Sequence, residues 1–114
     1  MTFAEFVGYF NRANRRDNFS TEGLRYLYNL HLASGGGKVD AIAYATEFSE
    51  FTARELYEYS SSIREYVDKA LEEFEGSVLS EEDLEDAFNS RDVQLYLNTH
   101  GLVKLPDSYI TNTF

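Results

Sequence analysis

The chain has 114 residues, of which 43% are hydrophobic and 16% aromatic, and its formal net charge is −10 at pH 7. This length fits a single domain over residues 1–114, and the apolar content excludes a disordered acidic tail. The charge opposes binding to nucleic acid or to an anionic membrane and favours a basic protein partner. Because cysteine is absent and no stretch approaches the roughly 18 apolar residues of a membrane span, we expect a cytoplasmic protein.

Two helices are predicted before the acidic part of the chain. The first runs from Thr2 to about Asn14, because Thr2 and Glu5 have the spacing of a capping box and apolar residues follow at helical intervals. The second begins after Ser20, a favourable N-cap residue. It ends at Gly35–Gly37, since three glycines resist helical structure.

A small antiparallel sheet is predicted from three short segments. Over residues 41–48, β-branched and aromatic residues alternate with alanine and polar residues, and this period of two predicts a strand. Pro106–Ser108 is a turn signal between the apolar runs Leu102–Leu105 and Tyr109–Phe114, which predicts a C-terminal hairpin. Three strands backed by helices can be stable. The predicted fold class is therefore α+β and predominantly helical.

The middle of the chain carries the whole negative excess. Residues 1–39 hold five Lys or Arg and three Asp or Glu, whereas residues 40–92 hold four and sixteen, and residues 93–114 hold one of each. Thr52 begins a second capping box, and Ser60–Ser62 predict a bend or break, since serine side chains compete for backbone hydrogen bonds. Gly76 ends this helical stretch, Ser80 is the N-cap of the next helix, and Ser90 precedes a further short one.

The sequence holds no recognisable catalytic or metal-binding pattern. His31 and His100 are the only histidines, and neither lies in an HExxH motif. His31 lies on an apolar helix face, where we expect a packed core histidine. Residues 80–92 are acidic but lack the ligand spacing and central glycine of an EF-hand loop. We therefore expect a protein that is not an enzyme and has no cofactor or metal.

Twelve carboxylates between residues 55 and 86 form the candidate site, because only Arg64 and Lys69 oppose them there. In one continuous helix Glu58, Glu65 and Glu72 form a row, since seven residues advance about 10.5 Å and nearly two turns. Such a row imitates DNA phosphates and would compete for the basic groove of a DNA-binding protein. The candidate partner-binding residues are Glu55, Glu58, Glu65, Asp68, Glu72, Glu73, Glu75, Glu81, Glu82, Asp83, Glu85 and Asp86.

Three other interpretations stay open. An acidic outer face can simply keep a domain soluble, at a cost of about a few tenths of a kcal/mol for each like-charged pair. Exposed aromatic residues, with Tyr57, Tyr59 and Tyr66 as candidates, can form an interaction module without mimicry. A self-assembling accessory protein is the third, in which the arginine-bearing N-terminal helix of one copy meets the acidic face of another.

Four groups of short segments stand out: Phe19–Leu24 with Leu27-Tyr28, Val39–Ala43, Glu47–Phe51, and Tyr109-Ile110 with Phe114. They resemble segments of small acidic proteins encoded by bacteriophages and other mobile elements. The resemblance implies an inhibitor of the anti-CRISPR or anti-restriction type, whose partner is a Cas or restriction nucleic-acid-binding complex in the host cytoplasm. The chain departs from such proteins in its triple-glycine loop, its longer middle helix and its arginine-bearing N-terminal helix.

Overall fold

The computed structural model describes residues 1–112, which form seven α-helices, one 3-10 turn and three short strands. The strands make a small antiparallel sheet in the order β1-β3-β2, so the predicted α+β, predominantly helical fold class is confirmed. The helices are α1 (Phe3–Arg12), α2 (Thr21–Ala33), α3 (Ala41–Glu47), α4 (Ala53–Tyr59), α5 (Ser61–Glu73), α6 (Glu81–Phe88) and α7 (Arg91–Thr99), and the 3-10 turn is Arg16–Asn18. The strands are β1 (Ser49–Phe51), β2 (Val103–Lys104) and β3 (Tyr109–Thr111).

Short polar residues begin the helices at the predicted places. The Thr2 hydroxyl accepts from the N–H of Glu5 at 3.2 Å, and the Glu5 carboxylate accepts from the N–H of Thr2 at 2.8 Å. The same reciprocal pair occurs between Thr52 and Glu55, so both predicted capping boxes are confirmed. Ser80 begins α6 through its hydroxyl. These caps satisfy backbone donors that the first helical turn leaves without partners.

The strand predicted over residues 41–48 is wrong, because residues 41–47 form helix α3. The Asp40 carboxylate accepts from the N–H of Ala43 at 3.0 Å and so caps a helix that the alanines favour. The alternating pattern placed Ile42 and Phe48 on one face, yet Ile42 is 54% exposed and Phe48 is buried. The strand follows directly as β1.

The C-terminal hairpin is found where it was predicted. Strands β2 and β3 are neighbours in the sheet, and the N–H of Leu105 donates to the carbonyl of Ser108 at 2.8 Å around the Pro106-Asp107 turn. All three residues of β3 are buried. Thr113 and Phe114, which ended the predicted second strand, lie outside the described residues.

The chain divides into two compact units. Unit 1 comprises residues 1–50 with the chain from Ile110, and unit 2 comprises Phe51–Tyr109. In unit 1, α1 packs against α2 and α3 with Phe6 and Phe10 fully buried. In unit 2, α5 packs against α4, α6 and α7. The core of unit 2 consists of Leu56, Ile63, Val67, Ala70, Leu71, Leu84, Ala87, Phe88, Val93, Leu97, Leu102 and Tyr109.

His31 is buried in unit 1, as expected for a core histidine. Its Nε2–H donates to the carbonyl of Gly37 at 3.2 Å, and its Nδ1 accepts from the hydroxyl of Tyr44 at 2.9 Å. Gly35–Gly37 have φ values of +97°, +72° and +96°, in the left-handed region that glycine adopts at low cost. The imidazole ring therefore ties the glycine loop to both helices that it joins.

The first turn of α2 holds the carboxylate of Glu50. The Glu50 side chain accepts from the N–H of Ser20 at 2.8 Å and from the Ser20 hydroxyl at 2.5 Å. A negative charge suits this end of a helix, where backbone N–H groups point outward. Glycine at position 23 permits the approach, because a Cβ there would lie 2.1 Å from the Glu50 Oε1.

We predict that Gly23→Ala destabilises the protein although alanine is the better helix former. The added methyl group displaces the Glu50 carboxylate from Ser20, and hydrogen bonds to a charged group contribute about 1.5–3 kcal/mol. Gly8→Ala is the matched control in α1, since its Cβ meets no atom closer than 3.8 Å. We expect Gly8→Ala to raise the free energy of unfolding by about 0.5–1 kcal/mol and Gly23→Ala to lower it. Urea denaturation measures both.

The same prediction has an internal control in the Glu50→Ala background. With the carboxylate removed, the Cβ at position 23 has room, so Gly23→Ala should no longer cost stability. If Gly23→Ala is equally destabilising with and without Glu50, the close approach is not the reason for the glycine.

We also predict that Tyr44→Phe lowers the free energy of unfolding by about 1 kcal/mol, because it leaves the buried Nδ1 of His31 without its donor. Tyr9→Phe is the control, since Tyr9 is 37% exposed and its ring contacts the Arg12 guanidinium, a contact that phenylalanine also makes. Chemical denaturation of both variants measures the effect. Equal stabilities for the two variants would show that the His31–Tyr44 hydrogen bond contributes nothing.

Candidate functional site

The twelve predicted carboxylates all lie in unit 2, and all except the half-buried Asp83 are exposed. Two are on α4, four on α5 and five on α6, and Glu75 lies between α5 and α6. Because α4 and α6 both pack against α5, the charges belong to one group of helices. They differ, however, in what each carboxylate contacts.

Two of the twelve help to begin helices. Glu55 closes the capping box of α4 with Thr52. Asp83 lies in the first turn of α6, where its carboxylate accepts from the N–H of Ser77 at 2.9 Å. Both carboxylates bind backbone donors of their own unit, so folding explains their presence.

Two more carboxylates make contacts between distant parts of unit 2. Asp68 on α5 accepts from the hydroxyl of Tyr57 on α4 at 2.6 Å. Glu81 on α6 pairs with the guanidinium of Arg54 on α4, with an N–O distance of 2.6 Å. Arg54 was not among the predicted site residues, because its partner lies 27 positions away and leaves no local pattern.

Eight carboxylates remain, and we call them the acidic surface. All eight are exposed, and within residues 1–112 none of them makes a hydrogen bond or an ion pair. Hydrogen bonds and ion pairs of the fold therefore do not account for them. The acidic surface consists of Glu58, Glu65, Glu72, Glu73, Glu75, Glu82, Glu85 and Asp86.

The predicted row of Glu58, Glu65 and Glu72 is wrong, because no continuous helix connects them. Glu58 belongs to α4, and the extended backbone of Ser60 (φ −109°, ψ 115°) separates α4 from α5. The predicted break at the serines is thus confirmed, and it removes the regular spacing. What remains on α5 is a stripe at i, i+3 and i+7 formed by Glu65, Asp68 and Glu72.

The cations of unit 2 leave the acidic surface largely uncompensated. The Arg64 guanidinium donates to the backbone carbonyls of Tyr57 at 3.0 Å and Glu58 at 2.8 Å, so it caps the end of α4. Arg54 is paired with Glu81. Unit 2 contains fourteen Asp or Glu against five Lys or Arg, which leaves a formal charge of −9. The local potential is therefore strongly negative.

The tyrosines proposed as interface residues have three different environments. Tyr57 is half-buried against Arg64 and Asp68. Tyr59 is 65% exposed and stacks on Phe51, with ring centroids 5.5 Å apart. Tyr66 is 42% exposed and lies against the ring of Tyr96 on α7, which was not among the predicted interface residues. Two of the three are therefore accessible to a partner.

A metal site and a membrane-spanning helix are not found among the described residues. Within residues 1–112 no group of three His, Asp or Glu side chains is placed to hold a metal ion. None of the helices in the same range combines the length and the apolar character needed to cross a bilayer. The His100 ring donates through Nδ1–H to the carbonyl of Tyr96 at 2.9 Å.

The Tyr57–Asp68 contact gives a prediction about pH. The hydrogen bond to Asp68, followed by burial and the Asp68 charge, raises the pKa of the Tyr57 hydroxyl above its ordinary value of 10.0. The contact therefore stabilises the fold below about pH 10, and its contribution is lost as the pH rises through the raised value. We expect Asp68→Ala to lower the pKa of Tyr57. Glu65→Ala, a substitution one turn earlier on α5, should leave the pKa of Tyr57 unchanged.

An NMR titration of tyrosines labelled at Cζ measures this pKa, with Tyr57→Phe providing the assignment. An unchanged Tyr57 titration in folded Asp68→Ala would show that the hydrogen bond does not form in solution. The outcome also decides whether Asp68 is held by the fold or is available to a partner.

Similarity to known proteins would indicate where the chain comes from. Comparison with protein-family models, with curated proteins and with solved structures finds no match. The resemblance of Phe19–Leu24 and the later segments to small acidic phage proteins therefore stays a prediction. The case for function depends on the charge and geometry of unit 2.

Proposed function

We propose that the chain is a non-enzymatic binding protein whose acidic surface occupies the basic groove of a nucleic-acid-binding complex. The observation that supports this is the set of eight exposed carboxylates without partners in residues 1–112. Such a surface attracts Lys- and Arg-rich sites over several ångströms and speeds association with them. It also repels nucleic acid itself, so the partner is a protein.

The proposed target is a host defence complex, either a Cas complex or a restriction enzyme, which the protein inhibits. Both classes hold nucleic acid in positively charged channels that carboxylates can occupy. The α5 stripe of Glu65, Asp68 and Glu72 supplies closely spaced charges, and the carboxylates of α4 and α6 extend them without the regular spacing of a DNA strand. The resemblance to small acidic phage proteins supports an inhibitor over a general solubility role.

We predict that reversing three charges of the acidic surface, Glu65→Lys, Glu72→Lys and Glu82→Lys together, abolishes inhibition without unfolding the protein. All three residues are exposed, and their carboxylates make no hydrogen bond or ion pair within residues 1–112. The assay is displacement of a fluorescent DNA duplex from purified Cas and restriction complexes. Binding of the unmodified protein should weaken at least about tenfold between roughly 50 and 200 mM salt, because charge attraction is screened.

The matched control reverses three exposed carboxylates of unit 1, with Asp17→Lys, Glu22→Lys and Glu47→Lys. Its net charge change is identical, so a general effect of charge would weaken both triple variants equally. The proposal requires the control to inhibit normally. Undiminished inhibition by the folded unit 2 variant rejects the acidic surface, and binding that is insensitive to salt favours an aromatic interface instead.

A further inference from the structure

A cavity of about 290 Å³ lies on unit 2 between α5 and α7. Three aromatic rings form a ladder along it. The Tyr66 and Tyr96 centroids are 4.6 Å apart with 34° between the ring planes, and those of Tyr96 and His100 are 4.1 Å apart with 23°. Leu95, which is 62% exposed, and Thr99 complete the apolar part of the wall.

This ladder is partly open to solvent. Tyr66 is 42% exposed and His100 is exposed, although Tyr96 also packs against the core of unit 2. Within residues 1–112 neither the Tyr66 nor the Tyr96 hydroxyl makes a hydrogen bond. Because Tyr96 is stacked between Tyr66 and His100, the ladder presents the exposed ring of Tyr66 and the polar edges of both tyrosines to a ligand.

Carboxylates stand beside the ladder. Asp92 lines the same cavity, one turn before Tyr96 on α7, and is exposed. Glu73 lines a neighbouring cavity that shares Tyr66 and Asp92 with the first and is also lined by Lys69 and Arg91. The cavity with the ladder therefore combines stacked rings with one negative charge, inside a unit whose formal charge is −9.

A guanidinium group matches this combination better than other ligands do. It is flat, stacks on aromatic faces and pairs with a carboxylate through parallel N–H bonds, whereas a lysine ammonium is a strongly hydrated point charge. The chain already uses such contacts, with the Arg25 guanidinium 4.0 Å from the Phe3 ring and Arg12 4.6 Å from Tyr9. A nucleobase could also stack, but its phosphates would meet the negative charge of unit 2.

We propose that this cavity receives an arginine side chain of the basic partner, with the guanidinium against the exposed ring of Tyr66 at the end of the ladder and paired with Asp92. The inference rests on the proposed function, because it names the residue type by which the acidic surface recognises its partner. It adds a specificity that charge alone lacks. The acidic surface attracts any cation, and the cavity selects arginine.

The test measures binding of nona-arginine and nona-lysine to the full chain by fluorescence anisotropy at about 50 mM salt. We expect nona-arginine to bind roughly 3- to 10-fold more tightly. Tyr66→Ala should weaken the binding of nona-arginine by at least about 3-fold and leave the affinity for nona-lysine nearly unchanged. Tyr59→Ala, which removes an exposed tyrosine elsewhere in unit 2, is the matched control and should change neither affinity.

Asp92→Asn is the second variant and should weaken nona-arginine more than nona-lysine, so the proposal does not depend on one substitution. Circular dichroism establishes that each variant is folded. Equal loss of both peptides in Tyr66→Ala, or no loss of either, overturns the arginine site. If nona-lysine binds and nona-arginine has no advantage, only this inference fails. If neither peptide binds, the proposed function fails as well.

Two further measurements exclude other occupants. An oligothymidylate that binds at the same salt concentration, and is lost in Tyr66→Ala, would assign the ladder to nucleobases and overturn the proposal. Sedimentation that shows self-association sensitive to Tyr66→Ala would assign it to an arginine of a second copy. If the protein is monomeric and does not bind the oligonucleotide, the result supports a separate basic partner.

Discussion

The corner at Ser60 determines where the charges of unit 2 lie. Its extended backbone ends α4, and its hydroxyl accepts from the N–H of Ile63 to begin α5. The Arg64 guanidinium fixes the corner by donating to the last carbonyls of α4, and the Asp68 carboxylate binds Tyr57 across it. A straight helix would have aligned the carboxylates in a row, whereas this corner distributes them over two helix directions.

The distinction between structural and unpartnered carboxylates follows from this arrangement. Four carboxylates are bound to donors of the fold, so substituting them would first of all lower the stability of the protein. They are Glu55, Asp68, Glu81 and Asp83. The acidic surface has no such donors within residues 1–112, so its charges act on whatever approaches from solvent. The arginine site proposed at the ladder would add a directional contact to this attraction. Stacking depends on the orientation of the ring, whereas screened charge attraction depends on orientation only weakly.

Local chemistry was predictable from sequence and distant contacts were not. The caps at Thr2, Thr52 and Ser80 were recognised because an N-cap bonds to residues two or three positions away. The helix over residues 41–47 is not predictable in this way, because an alternating pattern of large residues does not show whether Asp40 will cap a helix. The Tyr66–Tyr96 contact spans thirty positions, and no local pattern signals it. The acidic composition was visible at once, but which carboxylates were already bound required the fold.

The acidic surface also has a consequence for folding itself. Like charges held close together in the compact state repel each other more than they do in an expanded chain, so unit 2 is less stable than its apolar core alone would make it. Any polycation that neutralises these charges binds the folded form preferentially and raises its stability by mass action. Polycation binding and folding of this unit are thus thermodynamically linked, and the melting temperature reports how far these charges are neutralised.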